Sequence, residues 1–198
     1  MKIIIVGATG TIGRQVAGSL EGNHEIVRVG SKSGDIQADI TSPESIVNLF
    51  EQAGSFDALV CTAGDAYFGP WKTMTDMEFR KGIDSKLMGQ INLVLIGQKY
   101  INPRGSFTLT SGVLTHDPVL SGANPSAVNG AIEAFVRAAA IELENGVRIN
   151  VASPTVVEDA PEYFSYFPGH VPVTMKQVVY GYQKSVLGAG TGQVIRVH

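Results

Sequence analysis

The sequence predicts an α/β fold: one domain, with a parallel sheet covered by helices on both faces. Three observations carry that expectation. Short apolar runs with strand character alternate with helical periods from end to end. The first strand-to-helix turn is a glycine-spaced loop, GATGTIG. The chain has 198 residues, 44% apolar and 17% charged, which suits a single compact domain, 1–198, with a sizeable core.

The strands are KIIIV (2–6), EIVRV (25–29), DALVC (57–61), SFTLTS (106–111), VRINVAS (147–153) and GQVIRV (192–197). Each is short, rich in β-branched residues and bounded by turn residues. A further short strand is expected in DIQAD (35–39). Between them, TIGRQVAGSLEG (11–22) is the first helix. SPESIVNLFEQAG (42–54) follows, with Ser42 as N-cap and Pro43 at the first helical position. A long helix over 76–100 starts after Thr75 and Glu78, which stand at capping-box spacing. Another opens at Ser126 and runs to 144, and the last is TMKQVVYGYQKSVLG (174–188).

Composition narrows the function. A net charge of -3 leaves no broad basic field, so neither nucleic acid nor an anionic membrane surface is an expected partner. Cys61 is the only cysteine, which excludes an intrachain disulfide and fits a cytoplasmic location. The opening MKIIIVGATG reads as a first strand rather than a signal segment, and no apolar run approaches membrane-spanning length. No metal site is expected.

The glycine loop carries the first functional reading. Gly7, Gly10 and Gly13 follow a strand and open a helix. Without side chains there, a pyrophosphate reaches the helix N-terminus, where free N–H groups and the helix dipole favour negative charge. Thr9 and Thr11 add hydroxyl donors, and Ile12 and Arg14 complete the turn. The alternative is a tight turn without a ligand. An NAD site usually carries an acidic residue after the second strand. Here that turn is RVGSKSG, with Ser31 and Lys32, and Arg14 nearby, suited to a 2′-phosphate. The expectation is NADP(H) in preference to NAD(H), unless these are ordinary surface cations. Asp39 and Ile40, in ADI, are placed for the adenine, or form a turn before the next helix.

By these residues the chain resembles a short-chain dehydrogenase/reductase. GATGTIG resembles the glycine motif of the extended and atypical branches, and ADI the adenine contact. CTAG resembles the family's Asn-Asn-Ala-Gly turn, with Ala63 and Gly64 retained. LTSG places Ser111 where the catalytic serine stands, and RINVASP keeps Pro154 of the Pro-Gly turn, with Val156 following at the cofactor. The resemblance implies a Rossmann-like three-layer fold with a seven-stranded parallel sheet in the order 3-2-1-4-5-6-7.

The resemblance breaks at the proton donor. The family's Tyr-x-x-x-Lys falls on Pro125 and Asn129, in ANPSAVNG. A phenol titrates at about 10 and needs a neighbouring ammonium to serve at neutral pH. Neither group is present. The family's helix Asn, in SKLMGQ, falls on Lys86. Lysine and asparagine are thus exchanged: either Lys86 delivers its ammonium where the usual lysine stands, or it reaches to solvent. The expected catalytic set is Ser111, Lys86 and Asn129. His116 offers an alternative donor overhanging the site, or an exposed loop histidine. The segment 157–173 matches the family's substrate lid, with Tyr163 and Tyr166 either entering the pocket or packing the loop. Tyr67 and Trp71 either line the pocket opposite the lid or pack the long connection against the sheet. Cys61 reads as a small core residue.

In the family, two long helices form a four-helix bundle between subunits. Here 76–100 is apolar on more than one face, and 126–144 carries a stripe of alanines, so a homodimer or homotetramer is expected. Three functions remain open: an NADP-dependent oxidoreductase acting on a small-molecule carbonyl or alcohol, a dinucleotide-binding sensor or partner-binding protein without turnover, and an isomerisation or dehydration on the same scaffold.

Overall fold

The computed structural model describes residues 1–198. Seven strands form one parallel sheet: β1 (Lys2–Val6), β2 (Glu25–Gly30), β3 (Ile36–Gln37), β4 (Phe56–Cys61), β5 (Ile101–Thr110), β6 (Arg148–Pro154) and β7 (Val194–Val197). Their order is β3-β2-β1-β4-β5-β6-β7, as expected from the resemblance. The chain reverses direction across the sheet between β1 and β4, and a crevice opens there beyond the C-terminal strand ends.

The central strands bury both faces, which explains their unbroken apolar runs. In β1, Ile4 and Val6 point into one core and Ile3 and Ile5 into the other. The first core packs against α2 (Pro43–Ala53), α4 (Gly89–Gly97) and α5 (Ala123–Glu142), through Phe50, Leu93 and Ile132. The second packs against α1 (Thr11–Glu21) and α6 (Met175–Leu187), through Val16, Val178 and Tyr182. No helix is long and apolar enough to cross a membrane.

Three differences from the expected elements matter to the site. The helix expected over 76–100 is three pieces: α3 (Asp76–Gly82), a π-helical stretch (Ile83–Met88) and α4, which stops at Gly97. The capping box at Thr75 and Glu78 is present. The second difference is the start of α5, at Ala123 rather than Ser126, which puts Pro125 inside its first turn. A proline costs no hydrogen bond there, because the first four helical N–H groups have no intrahelical acceptor. Third, β5 begins five residues early, at Ile101, where its pairing with β4 shifts register.

The segment 157–173, expected as a lid, is tied at its base. Val157 and Val173 form an isolated bridge, and a 3₁₀ turn, Pro161–Tyr166, lies between them.

Candidate functional site

A cleft of about 440 Å³ opens where β1, β4, β5 and β6 end. Its floor at one side is the glycine loop. Gly7 has φ +85°, and a Cβ there would meet Thr62 Oγ1 at 2.8 Å. A Cβ on Gly13 would run into the Gly7 carbonyl, so loop and helix meet backbone to backbone. Gly10 is the N-cap of α1, no side chain caps that helix end, and its first turn holds no acid. The open N-terminus thus faces the cleft with its positive end free for an anion.

The cleft collects Gly10, Thr11, Ile12, Gly13, Gly64, Pro154 and Val156 of the expected cofactor set, and Lys86, Ser111 and Asn129 of the expected catalytic set. Gly7 and Ala63 sit immediately behind its wall. Arg14, Ser31, Lys32 and Asp39 are exposed and do not line the cleft. The one acid of the turn after β2, Asp35, is turned away and accepts from the Arg28 backbone N–H at 2.8 Å. Asp39 Oδ1 accepts from the Thr41 backbone at 2.9 Å and hydroxyl at 2.8 Å, bonds that lower its pKa. Only its other oxygen is open to an adenine amino group. Ile40 is buried beneath, against Gly89.

Lys86 owes its position to the π stretch. Gly64, at φ +124°, lets the turn after β4 approach so closely that a Cβ would lie 2.7 Å from Lys86 Cα. The buried Gln90 side chain donates to the Lys86 carbonyl at 3.2 Å and to the Thr110 carbonyl at 2.9 Å, and accepts from the Thr110 N–H at 2.7 Å. One amide therefore fixes both the widened helical turn and the end of β5. The Lys86 ammonium donates to the Ser111 carbonyl at 3.2 Å. The residue is half-buried and lines the cleft, with its ammonium desolvated. Loss of hydration pushes its pKa down to about 8. Lys86 thus lines the cleft and is held at the end of β5.

Ser111 is 3% exposed, and its hydroxyl donates to Glu133 Oε1 at 3.0 Å. Glu133 lies on α5 behind the cleft wall. Asn129, one turn earlier on the same helix, has its side-chain oxygen buried with no hydrogen-bond partner, and Thr155 Oγ1 is in the same condition. Both residues line the cleft. Buried polar atoms without partners are costly, and a ligand with hydroxyl or amide groups in the cleft would satisfy them. The glycine cradle, the uncapped helix end and these two atoms fit a dinucleotide.

Two of the aromatic expectations need correction. Trp71 neither lines the pocket nor packs the connection: it is 74% exposed on a short 3₁₀ turn. Tyr67 lies outside the cleft, where its hydroxyl donates to Glu78 at 2.6 Å and anchors the start of α3. His116 does not overhang the cleft either. It is the exposed loop histidine of the other reading, at the end of the turn Val113–Thr115 and on the side of Glu133. In the segment 157–173, Tyr163 and Phe167 line the cleft, whereas Tyr166 packs on Phe68 with ring centroids 5.3 Å apart. Cys61 is fully buried, and burial pushes its thiol up to about 12. Sequence reasoning missed Thr62, Phe68, Thr155 and Glu133. Thr62 and Thr155 stand beside recognised motif residues, a signal that was available. Glu133 had none, because Glu133 and Arg137 read as an ordinary surface pair at helical spacing.

Residues 12–171 match the family described as Enoyl-(Acyl carrier protein) reductase. Versicolorin reductase stcU of Emericella nidulans is 30% identical over 68% of this chain and 53% of its own length. Tetrahydroxynaphthalene reductase of Pyricularia oryzae is 28% identical over 70% of this chain and 52% of its own. The chain thus spans about half the length of the curated relatives it matches. Among solved structures, the Listeria innocua protein lin1944 superposes with a TM-score of 0.99 at 43% identity, over the whole of both chains. A small-chain dehydrogenase in complex with NADPH superposes with a TM-score of 0.89 at 28% identity, over all of this chain and 96% of the other.

Proposed function

Because the chain belongs to the short-chain dehydrogenase/reductase family, we propose that it is an NADP(H)-dependent oxidoreductase acting on a small carbonyl or alcohol. The single observation that carries this reading is the meeting of Lys86 and Ser111 in the same cleft as the glycine loop. A bound nicotinamide supplies or accepts the hydride. The protein supplies the rest. Gly10, Thr11, Ile12 and Gly13 hold the pyrophosphate, with Gly7 and Thr9 shaping the loop. Ala63, Gly64, Pro154 and Val156 form the walls along the cofactor, and Asp39 and Ile40 bracket the adenine. Arg14, Ser31 and Lys32 surround a 2′-phosphate, in a turn from which Asp35 is withdrawn. The NADPH held by the similar dehydrogenase points the same way.

At the reacting end, Ser111 contacts the substrate oxygen. Lys86 stabilises negative charge there and holds a proton near neutral pH, its pKa having been brought down to about 8. Asn129 offers its unpartnered oxygen to a hydroxyl of the bound ligand. Phe68, Tyr163 and Phe167 enclose the substrate with apolar surface, which favours an aromatic or extended apolar carbonyl compound. The polycyclic names of the fungal relatives agree with that class. Exposed Leu95 and Ile141 on α4 and α5 support association through helices 76–100 and 126–144 as a homodimer or homotetramer; monomeric elution at micromolar concentration would count against it.

Calorimetric titration with NADPH and then NADH is the test. Tight NADPH and weak NADH binding are expected. No binding of either at millimolar concentration would end the reading. One observation favours a second one: Pro125 lines the cleft where a proton donor is usual. A cofactor sensor without turnover would bind NADPH and keep that affinity in Lys86→Ala and Ser111→Ala, with no carbonyl reduced by any of the three proteins.

A further inference from the structure

The Ser111 hydroxyl has one proton, and the structure aims it away from the cleft. An ionised carboxylate only accepts. While Glu133 is charged, Ser111 donates to it and presents lone pairs alone to a substrate. Ser111 then receives a hydrogen bond from an alcohol but gives none to a carbonyl. It donates into the cleft only when Glu133 itself carries a proton.

Glu133 is 1% exposed. Its first oxygen is taken by Ser111, and its second lies 3.4 Å from both His116 Nε2 and the Arg137 guanidinium. These groups reach it from three places: Ser111 from the end of β5, His116 from the turn after it, and Arg137 from the next turn of α5. Beyond them, Arg196 of β7 stands 3.2 Å from His116 Nε2, and His198 and Asp117 lie in the same electrostatic neighbourhood. His116 Nε2 thus sits between a carboxylate at 3.4 Å and a guanidinium at 3.2 Å. Its side chain is 34% exposed, so it meets water. These contacts run from the cleft to solvent: a hydrogen bond from Ser111 to Glu133, then a 3.4 Å contact from Glu133 to the half-exposed His116.

With the oxidoreductase reading as premise, we propose that Glu133 is the positioning residue of a Ser111–Glu133–His116 proton relay, which does the work left undone by the absent tyrosine and lysine. In oxidation, the bound alcohol passes its O–H proton to Ser111 Oγ as the Ser111 proton passes to Glu133 Oε1. The C–H bond breaks, and its hydrogen leaves with both electrons as hydride to the oxidised nicotinamide. The C=O bond forms. Neutral Glu133 then returns its proton through His116 to water. The alcohol has lost one hydride and one proton. Reduction runs the same steps in reverse, with the carbonyl oxygen taking its proton from Ser111.

The test compares wild type, Glu133→Gln and His116→Ala, with NADPH and nitrobenzaldehyde or naphthoquinone as carbonyl probes. Glu133→Gln is expected to bind NADPH as the wild type does in calorimetry, and to lose about a hundredfold or more in turnover. In NMR spectra of the free protein, the Ser111 hydroxyl proton stands downfield and exchanges slowly, and it moves upfield in Glu133→Gln. His116→Ala, altered at a half-exposed position that tolerates the change, loses rate that added imidazole restores. A structural role for Glu133 gives no such rescue. Wild-type turnover in Glu133→Gln, or a His116→Ala defect that imidazole leaves in place, overturns the relay and leaves the oxidoreductase reading standing. A wild type that binds NADPH and reduces neither probe removes that reading and the relay with it.

Discussion

The two ends of the cleft are built from different material. The nucleotide end, from Gly7 to Gly13, is backbone: a left-handed glycine, an uncapped helix and a carbonyl against which no Cβ fits. The proposed reacting end is side chain: Lys86 hung on a π turn, Ser111 pinned to a buried carboxylate, and Asn129 with an oxygen left over. Backbone sites tolerate little substitution at the residues that make them. Side-chain sites are redistributed among neighbouring elements, provided that the same functional groups reach the same space. The exchange of lysine and asparagine that we propose between positions 86 and 129 is of that second kind.

The sharpest way to break the comparison is Gly13→Val. A branched side chain there must displace the Gly7 carbonyl, and we expect a loss of roughly a hundredfold or more in NADPH affinity, measured by calorimetry. Unchanged affinity would mean that the backbone end does not hold the nucleotide. Lys86→Met tests the other end, with three outcomes expected together. NADPH binding persists, turnover falls by about a hundredfold or more, and the protein becomes more stable at neutral pH. The gain is on the order of 3 kcal/mol, the equivalent of a lysine pKa lowered from 10.5 to about 8. An unchanged or lower unfolding midpoint for Lys86→Met would show that the ammonium is hydrated.

The same group gives the wild type a signature in pH. Between about 8 and 10.5 the unfolded chain holds the Lys86 proton and the folded chain does not. Stability from this group therefore rises with pH across that window, while reductive turnover falls as pH rises through about 8. Thermal melts and rate profiles that move in the same direction would contradict this. A smaller effect is expected from Ser31→Asp with Lys32→Ala. It lowers NADPH affinity by about tenfold and leaves NADH affinity unchanged or improved. The smallest belongs to Trp71→Ala, which is exposed and touches neither end, and changes stability by no more than about 0.5 kcal/mol in denaturant titration.

This contrast also explains what was legible in the sequence. Glycines at loop spacing, alternating apolar runs and the caps at Ser42 and Thr75 are local signals, and each became the expected element. The end of α4 and the π turn were not legible. The run IDSKLM has ordinary helical composition, and what widens it is the close approach of Gly64 and the Gln90 side chain, both tertiary. The start of α5 was misplaced because Asn-Pro reads as a break. Asn124 instead points its side chain across to α3, donating to the Phe79 carbonyl at 2.6 Å and accepting from the Tyr67 N–H at 2.8 Å. Glu133 stayed hidden because a buried acid on an alanine-rich helix is spelled like an exposed one.

The bridge between Val157 and Val173 has an evolutionary consequence. A segment whose two ends are already joined is free to change in length, since each doubling of a flexible loop costs only about 0.6 kcal/mol in closure entropy. Insertions and deletions between those two valines reshape what the cleft admits without disturbing the sheet or the glycine loop. The molecule is a fixed grip with an exchangeable jaw, and descendants of this chain are expected to differ in size and sequence first within residues 158–172.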